Sequence, residues 1–399
     1  MASYMPSKRS VYILLIIALT CLTAILSWHT VESGHQKSSD DGKVDRLDDS
    51  IIQDIEEKPA AIREGQPAIK NPGPLFPIDS SNNKMGYIDR RGRVVIKPLF
   101  DEAGQFSEGL APVNVGGKRA RPGSAKGGLW GYIDTSGKFS CKPRFDAAWP
   151  FLDGLAPVRV KNKWGSINHR FEFVARPEYF HPPRFFEGYA LVRKDKEWMY
   201  IDKSGKVILR AADVTVGPTT PGTRLLGPFP VGEEFGFVDL DGNMFIQPRF
   251  SYARHFREGL ALVCLGDLTG FIDKTGEIAI EPQFSQPYVL IGFSDGLFPV
   301  SIRNKWGYID KTGKIVIGVK FDLARRFSEG LGRVLIGGVR DGKWGFIDKT
   351  GAYSIPPRFH WASGFKNGLA NVKIGEYQNY SDAYIDTKGN FVWQEKPDQ

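Results

Sequence analysis

The sequence is poor in the residues that mark several large classes of protein. Its 399 residues include only 3 cysteines and 6 histidines, which excludes a disulfide-stapled scaffold and a cysteine-rich zinc module. The histidines have no H-x-x-x-H spacing, and neither a G-x-S-x-G motif nor a G-x-x-x-x-G-K-[ST] loop occurs. We therefore predict that the protein is not an enzyme and has no metal site or cofactor. Cys141 is predicted to be a small core residue, and both Cys141 and Cys264 are predicted to be unpaired.

The abundant residues indicate β-structure. The chain has 45 glycines, 26 prolines and 13% aromatic residues, and many turns with rings between them are typical of short strands rather than long helices. A hydrophobic share of 41% and a charged share of 25% are ordinary for a folded soluble domain. Wholesale disorder and a polytopic membrane protein are both excluded by that balance.

The first thirty residues are typical of a segment that targets a protein to the membrane. Lys8 and Arg9 precede an uncharged run over residues 11–28, which as a helix would match the hydrocarbon thickness of a bilayer. We interpret residues 1–30 as a signal anchor; a cleaved signal peptide is the alternative, and the residues before Cys21 make a poor lipoprotein site. The flanking positive charges keep the amino terminus cytoplasmic. The predicted location is the cell envelope, outside the cytoplasmic membrane, or secreted if the segment is cleaved.

Residues 31–84 are predicted to form a disordered tether. The stretch is acidic at its start and proline-rich towards its end. Such a composition buries too little apolar surface to offset the entropy of an ordered chain.

The remainder is one unit repeated. Residues 306–334, 130–158 and 344–372 share one frame, which begins with Trp-Gly-[Tyr/Phe]-Ile-Asp. Degenerate copies bring the number of units to nine. The nine units begin at residues 85, 130, 164, 198, 235, 269, 306, 344 and 382.

Each part of the unit predicts a structure. The alternation in Trp-Gly-Tyr-Ile-Asp indicates a strand, and Asp-x-x-Gly is typical of a tight turn into a second strand that ends at a proline. An aromatic follows two residues later, and Glu-Gly-Leu-Ala opens a third strand. We therefore predict three-stranded antiparallel meanders over residues 85–396. The stretch 211–234 is irregular, because the proline and Glu-Gly-Leu-Ala elements are missing there.

These motifs resemble the WG repeat, or KWG repeat, family of bacterial proteins. Three units carry the Lys-Trp-Gly tripeptide itself, at Lys163-Trp164-Gly165, Lys305-Trp306-Gly307 and Lys343-Trp344-Gly345. The resemblance covers about four fifths of the chain and implies an all-β repeat array that binds or scaffolds, without a set of catalytic residues. Nine units exceed the usual blade number of a propeller, so we favour an open, solenoid-like array over a propeller-like ring.

The repeated polar and aromatic residues have structural interpretations. The aspartate that begins each Asp-x-x-Gly is expected to cap a turn rather than to bind calcium. The tryptophans that open the units are expected to pack in a core. Three others could instead stack on sugar if their rings are exposed: Trp149, Trp361 and Trp393.

Charge carries the functional prediction. The chain has a formal net charge of +8, and an insertion between the first and second units concentrates Lys118, Arg119, Arg121 and Lys126. We expect these four residues to contact a protein or an anionic envelope polymer. The predicted function is an exported, membrane-anchored repeat scaffold that binds a macromolecule through an extended β surface. An envelope glycan-binding module and a ligand-free structural spacer are the alternatives; nucleic acid is not an expected partner, because no reader motif is present.

Overall fold

The chain forms a closed ring of small sheets. The computed structural model describes residues 73–80, 82–119, 125–216, 225–285, 292–376 and 379–395. Within them nine antiparallel sheets of three or four strands are arranged as a nine-bladed β-propeller. The all-β prediction and the propeller alternative are confirmed, and the preference for an open array was wrong.

Each blade is a meander whose strands follow one another in the chain. We call the strand positions A, B, C and D in chain order, and blades 1, 4, 5 and 7 lack a strand at position A among the described residues. A short 3-10 helix, Ala211–Asp213, follows blade 4. The strands are, in blade 1, β1 (Phe76–Asp79), β2 (Met85–Ile88) and β3 (Val94–Phe100); in blade 2, β4 (Glu102–Ala103), β5 (Leu110–Arg119), β6 (Ala125–Asp134) and β7 (Phe139–Phe145); in blade 3, β8 (Ala147–Ala148), β9 (Ala156–Val160), β10 (Lys163–Ile167) and β11 (Phe173–Tyr179); in blade 4, β12 (Tyr189–Lys194), β13 (Glu197–Asp202) and β14 (Val207–Arg210); in blade 5, β15 (Leu225–Val231), β16 (Glu234–Asp239) and β17 (Met244–Phe250); in blade 6, β18 (Tyr252–Ala253), β19 (Ala261–Leu265), β20 (Leu268–Ile272) and β21 (Ile278–Ser285); in blade 7, β22 (Phe298–Ile302), β23 (Lys305–Ile309) and β24 (Ile315–Phe321); in blade 8, β25 (Leu323–Ser328), β26 (Leu331–Ile336), β27 (Lys343–Ile347) and β28 (Tyr353–Phe359); and in blade 9, β29 (Trp361–Ala362), β30 (Leu369–Glu376), β31 (Asn379–Asp386) and β32 (Phe391–Gln394).

The sequence repeat and the blade are out of phase by one strand. The Trp-Gly strand begins a sequence unit and is strand C of its blade. Strand B of the same blade is the Glu-Gly-Leu-Ala strand, which precedes it in the chain and belongs to the previous unit. In blade 2, for example, Val113 of strand B lies opposite Gly131 of strand C. The prediction that each sequence unit forms its own meander was therefore wrong. Each blade takes its B strand from one unit and its C and D strands from the next.

The shift moves the start of the propeller upstream. Strand B of blade 1 is Phe76–Asp79, a segment that composition had placed inside the predicted tether. Leu75, Phe76 and Ile78 are all buried, so these residues belong to the propeller and its boundary lies before Leu75. Residues 1–72, which include the predicted anchor and most of the tether, lie outside the described residues. In the part of the chain that the structure describes, no helix is long and apolar enough to cross a membrane.

The glycine after each tryptophan is required by the shape of strand D. Opposite that glycine the D strand bulges, and the register shifts between Trp130 and Tyr132 in blade 2. A Cβ built on Gly131 would lie 2.5 Å from the carbonyl oxygen of Cys141. Two units have another residue here, Met199 and Ala383, and their D strands pair without a bulge at that point. Glycine and bulge therefore occur together.

The Asp-x-x-Gly turns are capped as predicted. In blade 7 the Asp310 carboxylate accepts the backbone N–H groups of Thr312 and Lys314 at 2.9 and 3.1 Å, while Gly313 has a φ of +83°. Blade 3 keeps the same two bonds with Asn168 in place of aspartate. The turn needs a side-chain oxygen acceptor, and a metal ligand is not required to explain these residues.

The ring closes through a tyrosine-to-proline hydrogen bond that also occurs between blades 4 and 5. The Tyr384 hydroxyl of blade 9 donates to the Pro77 carbonyl of blade 1 at 2.7 Å. The Tyr384 and Phe76 rings lie 5.6 Å apart, and both belong to one buried cluster with Ile88 and Leu369. Closure depends on β1, which the predicted start at residue 85 leaves out. That omission is the physical reason why the open array was the wrong preference.

The irregular stretch 211–234 contains a strand rather than only a loop. β15 occupies position B of blade 5 and pairs along its length with β16. Its Phe229 is buried and lies 6.1 Å from the Tyr200 ring of blade 4. The sheet order therefore continues through this stretch, although residues 217–224 lie outside the described part.

Candidate functional site

The segments at position A lie on the inner side of the ring. Phe186 of blade 4 and His255 of blade 6 have ring centroids only 4.9 Å apart, although blade 5 stands between their blades in the chain. A single cavity is lined by Arg326 of blade 8 and Glu102 of blade 2. Residues of blades that are not neighbours can meet only near the axis of a ring. We therefore treat the A segments as the inner wall.

Arginines converge on one side of this wall. They form the inner arginine cluster, which comprises Arg184 of blade 4, Arg254 and Arg257 of blade 6, and Arg325, Arg326 and Arg333 of blade 8. Desolvation and the neighbouring Arg254 lower the pKa of Arg184, while desolvation, Arg326 and Arg254 lower the pKa of Arg257. The guanidinium groups of three blades are thus close enough to repel one another.

Arg333 anchors one end of the cluster. Desolvation and the nearby Arg325 lower its pKa to about 10, so the group stays charged at neutral pH. Its guanidinium donates to the Ala362 carbonyl and lies 5.7 Å from the Trp344 ring. Its Nε is buried without a hydrogen-bond partner. Positive charge is therefore held inside the ring at an energetic cost.

Acidic side chains close to the cluster are engaged elsewhere. Glu258 accepts the backbone N–H of Gly296 in blade 7 at 3.1 Å and pairs with Lys311. Glu329 likewise accepts the N–H of Gly368 in blade 9 at 2.9 Å. Over the described residues, no ion pair joins a carboxylate to any arginine of the cluster. The cluster is an excess of positive charge that an anion could neutralise.

His255 lies within the cluster and is uncharged at neutral pH. Desolvation, Arg254 and Arg257 lower its pKa to about 4. Its imidazole is also the neighbour of the Phe186 ring. Because nearby positive charge is part of the cause, an anion bound between these arginines would raise the pKa of His255.

The inner arginine cluster was not predicted from the sequence. Arg254, Arg325 and Arg326 stand in A segments, between the small residue and the aromatic, in Ala253-Arg254-His255-Phe256 and Ala324-Arg325-Arg326-Phe327. The local signal was therefore present in two units. Their convergence depends on the closed ring, which no local pattern reveals.

A cavity of about 780 Å³ opens where the ring closes. Its walls come from β1, from the A segments of blades 8, 9 and 2, and from strands B and C of blade 9. Lys373 and Asp382, both in blade 9, pair across this wall at 3.1 Å. Trp361 and Lys366 line the cavity and are exposed. The cavity adjoins the cluster through Arg326 and Arg333.

The described part of the predicted basic insertion lies at the end of the β5–β6 pair. Strands β5 and β6 extend beyond blade 2, and Lys118 lies directly opposite Lys126. Both lysines are exposed. Arg119 lies opposite Ala125 at the end of the pairing, while Arg121 lies outside the described residues. The structure thus places two of the four predicted residues as a like-charged cross-strand pair, an arrangement that an anion would relieve.

The aromatic predictions have mixed outcomes. Trp306 and Trp344 are buried at 7% and 8% exposure, as expected for core residues, and Trp130, Trp164 and Trp198 are half-buried. Of the rings considered for sugar stacking, Trp149 is half-buried beneath Arg184. Trp393 packs against Tyr384. Trp361 is 43% exposed.

The local contacts of the two cysteines and of two histidines explain these residues without a ligand. Cys141 and Cys264 are buried, and both are free, as predicted. His360 contacts the Lys343 ammonium group, and His169 lies 3.2 Å from Glu108. No group of side chains suited to hold a metal ion occurs among the described residues.

Comparisons with known proteins agree with the repeat. The sequence profile described as "WG containing repeat" matches residues 85–118, 130–164, 164–198, 235–268, 270–306, 306–339 and 344–377. The units beginning at residues 198 and 382 are not matched, although β13 and β31 give them the expected C strands. No curated protein matches the chain.

Similar solved structures share little sequence with the chain. A crystal structure of the eukaryotic initiation factor is 11% identical over 67% of this chain and 82% of that chain, with a TM-score of 0.45. Apo AztD from Citrobacter koseri is 13% identical over 81% of this chain and 94% of that chain, with a TM-score of 0.38. Similarities this low carry no argument about function.

The closed ring and its tandem units define a repeat-built β-propeller, a fold suited to a protein-binding scaffold. The profile matches span most of the ring. The chain belongs to the WG containing repeat family.

Proposed function

We propose that the protein is an exported, membrane-anchored scaffold that binds an acidic protein partner at the inner arginine cluster. The observation that carries the proposal is the meeting of arginines from blades 4, 6 and 8 without a carboxylate partner. Charge-assisted hydrogen bonds from guanidinium to carboxylate are among the stronger polar contacts in proteins. An acidic segment of a partner would supply the missing countercharge.

The β5–β6 hairpin offers a second contact of the same sign. Its exposed Lys118 and Lys126 project beyond blade 2 and lie among four basic residues of the insertion. Exposed charges of this kind mainly raise the rate of association and depend strongly on salt. The hairpin would attract the partner, and the inner cluster would hold it.

A binding titration of the full chain tests the proposal. The probe is a fluorescein-labelled oligoglutamate peptide, followed by fluorescence anisotropy at low and high salt, with the matching oligoglutamine peptide as the neutral control. We expect only oligoglutamate to bind. The variant R184Q/R254Q/R257Q should weaken that binding by at least about tenfold, because three exposed or half-exposed ionic contacts are lost.

A matched variant separates a site from general charge. R170Q/R303Q/R340Q removes the same number of charges at exposed arginines outside the cluster and should change the affinity much less. Equal losses in the two variants, or no binding of oligoglutamate at low salt, would overturn the proposal. Charge reversal of Lys118, Arg119, Arg121 and Lys126 should slow association more than it speeds dissociation.

His255 offers an independent readout within the site. Bound oligoglutamate should raise its pKa from about 4 towards the ordinary value, because a bound carboxylate offsets Arg254 and Arg257. NMR titration of the imidazole resonances would measure the shift. An unchanged pKa under saturating peptide would place the peptide elsewhere.

Export and anchoring rest on the segment 11–28. Protease is added to intact cells and to spheroplasts that express the full chain. The propeller should be digested in spheroplasts, where the protease has access to the outer face of the cytoplasmic membrane. A variant without residues 11–28 should remain in the cytoplasm. Protection of the propeller in intact spheroplasts would contradict export.

A further inference from the structure

The cavity at the ring closure has a structural cause. Blades 8, 9 and 2 place A strands on the inner wall, namely β25, β29 and β4. Blade 1 has none among the described residues, and its inner edge is strand β1. The wall is therefore recessed between blades 9 and 2, and Phe76 and Pro77 form part of the floor.

One side chain of the cavity differs from its counterparts around the ring. Trp361 opens β29, the position that Glu102, Ala147, Tyr252 and Leu323 take in other blades. Its indole is 43% exposed, whereas Tyr252 and Leu323 are half-buried. An exposed indole at the rim of a concave site provides a flat apolar surface beside polar groups.

The polar groups around this indole are suited to hydroxyl and carboxylate ligands. Asn371 and Ser363 stand on the blade 9 wall, where the Ser363 hydroxyl accepts the Asn371 backbone N–H at 2.9 Å. Lys366 and Arg326 line the same cavity and are exposed, and neither side chain forms an ion pair within the described residues. An amide and a hydroxyl can bind sugar hydroxyl groups, and the two cations can bind a carboxylate.

We propose that this cavity binds an acidic oligosaccharide, with a sugar ring stacked on Trp361 and its carboxylate held by Lys366 and Arg326. A pyranose ring presents C–H groups on its faces and hydroxyl groups at its edge, which matches an indole surrounded by polar side chains. The cavity volume accommodates a short oligosaccharide. The cavity shares Arg326 with the inner arginine cluster, but Arg184, Arg254 and Arg257 of that cluster do not line it, so variants of these three arginines separate the sugar site from the contact with an acidic protein partner.

Calorimetric titration of the full chain with oligogalacturonate tests the inference, and the methyl ester of the same oligosaccharide serves as the neutral probe. The acid should bind more tightly than the ester. W361A should weaken the binding of both by about tenfold, because both lose the stacking surface. K366Q should weaken only the acid and so reduce its advantage over the ester.

Matched variants keep the test specific. Y353A removes a ring that is 44% exposed on β28, outside the cavity, and K349Q removes an exposed lysine of the blade 8 turn. Neither should change binding. The inference falls if neither oligosaccharide binds, or if W361A and Y353A have the same effect. Loss of oligosaccharide binding in R184Q/R254Q/R257Q equal to that in K366Q would also overturn it, by placing the sugar at the arginine cluster.

The two proposals fail separately. Oligoglutamate that binds through the cluster while oligogalacturonate does not bind would leave the scaffold proposal in place and remove the cavity inference. Oligogalacturonate that binds through Trp361 without any binding of oligoglutamate would do the reverse.

Discussion

The junction that closes the ring differs from the junction between blades 2 and 3 in how a tyrosine hydroxyl contacts the next blade. Between blades 2 and 3 the Tyr132 hydroxyl donates to the Trp149 carbonyl at 2.8 Å, and the Trp149 N–H donates to the Pro157 carbonyl at 3.0 Å. An A-segment residue thus bridges tyrosine and proline. Between blades 9 and 1 the Tyr384 hydroxyl donates directly to the Pro77 carbonyl, and no bridging residue occurs among the described ones.

The junction between blades 4 and 5 shows that the direct bond alone is not special to closure. There the Tyr200 hydroxyl donates to the Pro228 carbonyl at 3.0 Å, and the chain continues from one blade to the next. The closing junction has the same bond but no covalent continuity. Comparing these two junctions separates the contribution of the contacts from that of the connecting chain.

The largest expected effect comes from the buried ring at the closure. F76A should lower the free energy of unfolding by about 3–5 kcal/mol, because it removes an almost fully buried aromatic side chain. F229A, which removes the buried ring next to Tyr200 at the junction between blades 4 and 5, should cost a similar amount. Hydrogen exchange should nonetheless differ: F76A should open β1 and β31 locally, whereas F229A should leave that closing pair protected.

Similar local opening in both variants would contradict the idea that the closing junction is the weakest. Urea unfolding followed by circular dichroism provides the global comparison. The local comparison needs residue-level exchange, because the ring can open at one junction without unfolding elsewhere.

The second expected effect concerns the glycine of the repeat. G131A should destabilise the propeller by about 2–3 kcal/mol, because its Cβ would clash with the backbone of the bulged D strand. Blade 9, which has Ala383 and no bulge there, gives the matched control: A383G should cost only about 1 kcal/mol through chain entropy. Thermal denaturation of both variants tests whether the bulge requires the glycine. An equal loss of stability in the two variants would contradict that requirement.

Much of the fold was predictable because the repeat is local. The strand order, the Asp-x-x-Gly turns and the nine C strands follow from residue patterns within each unit. The phase of the blades was missed, although Leu75-Phe76-Pro77 repeats Leu297-Phe298-Pro299 and marks a B strand upstream of the first Trp-Gly. Counting units from the tryptophan concealed that extra strand and, with it, the closure.

The site was less predictable because it is not local. A binding role was predicted for the insertion, because basic residues stand together there in the chain. The inner cluster joins Arg184, Arg254 and Arg326 from three blades that meet only when the ring is closed. Likewise, Trp361 lies beside blade 1, which has no A strand among the described residues and adjoins blade 9 through closure.

A smaller effect is expected from the hydroxyl at the closing junction. Y384F should cost about 1 kcal/mol, because the half-buried Pro77 loses the donor to its carbonyl. Y200F removes the equivalent donor at a junction with chain continuity. We expect equal changes in global stability but faster exchange of the β1 amides in Y384F alone. Equal exchange in both variants would show that the hydroxyl has no particular role in closure.

The smallest effects are in the dependence of stability on pH, where the two regions should respond in opposite directions. In the β23–β24 turn of blade 7, away from the closing junction, hydrogen bonds from the Thr312 side chain and from backbone N–H groups lower the pKa of Asp310. Its stabilising contribution is therefore present above the unfolded pKa and is lost as the pH falls through the folded one. D310N should keep the turn, as Asn168 does in blade 3, and lose this dependence.

At the closing junction the sign is reversed. Desolvation, together with Asp382 and Asp79, raises the pKa of Glu395. The contribution of Glu395 is thus fully present below its unfolded pKa and is lost as the pH rises through the raised value. E395Q should remove the loss of stability that occurs as the pH rises. D310N should instead remove the loss that occurs as the pH falls. Urea midpoints measured from acid to neutral pH would show both changes, and a shift of the same sign in the two variants would contradict the assignment.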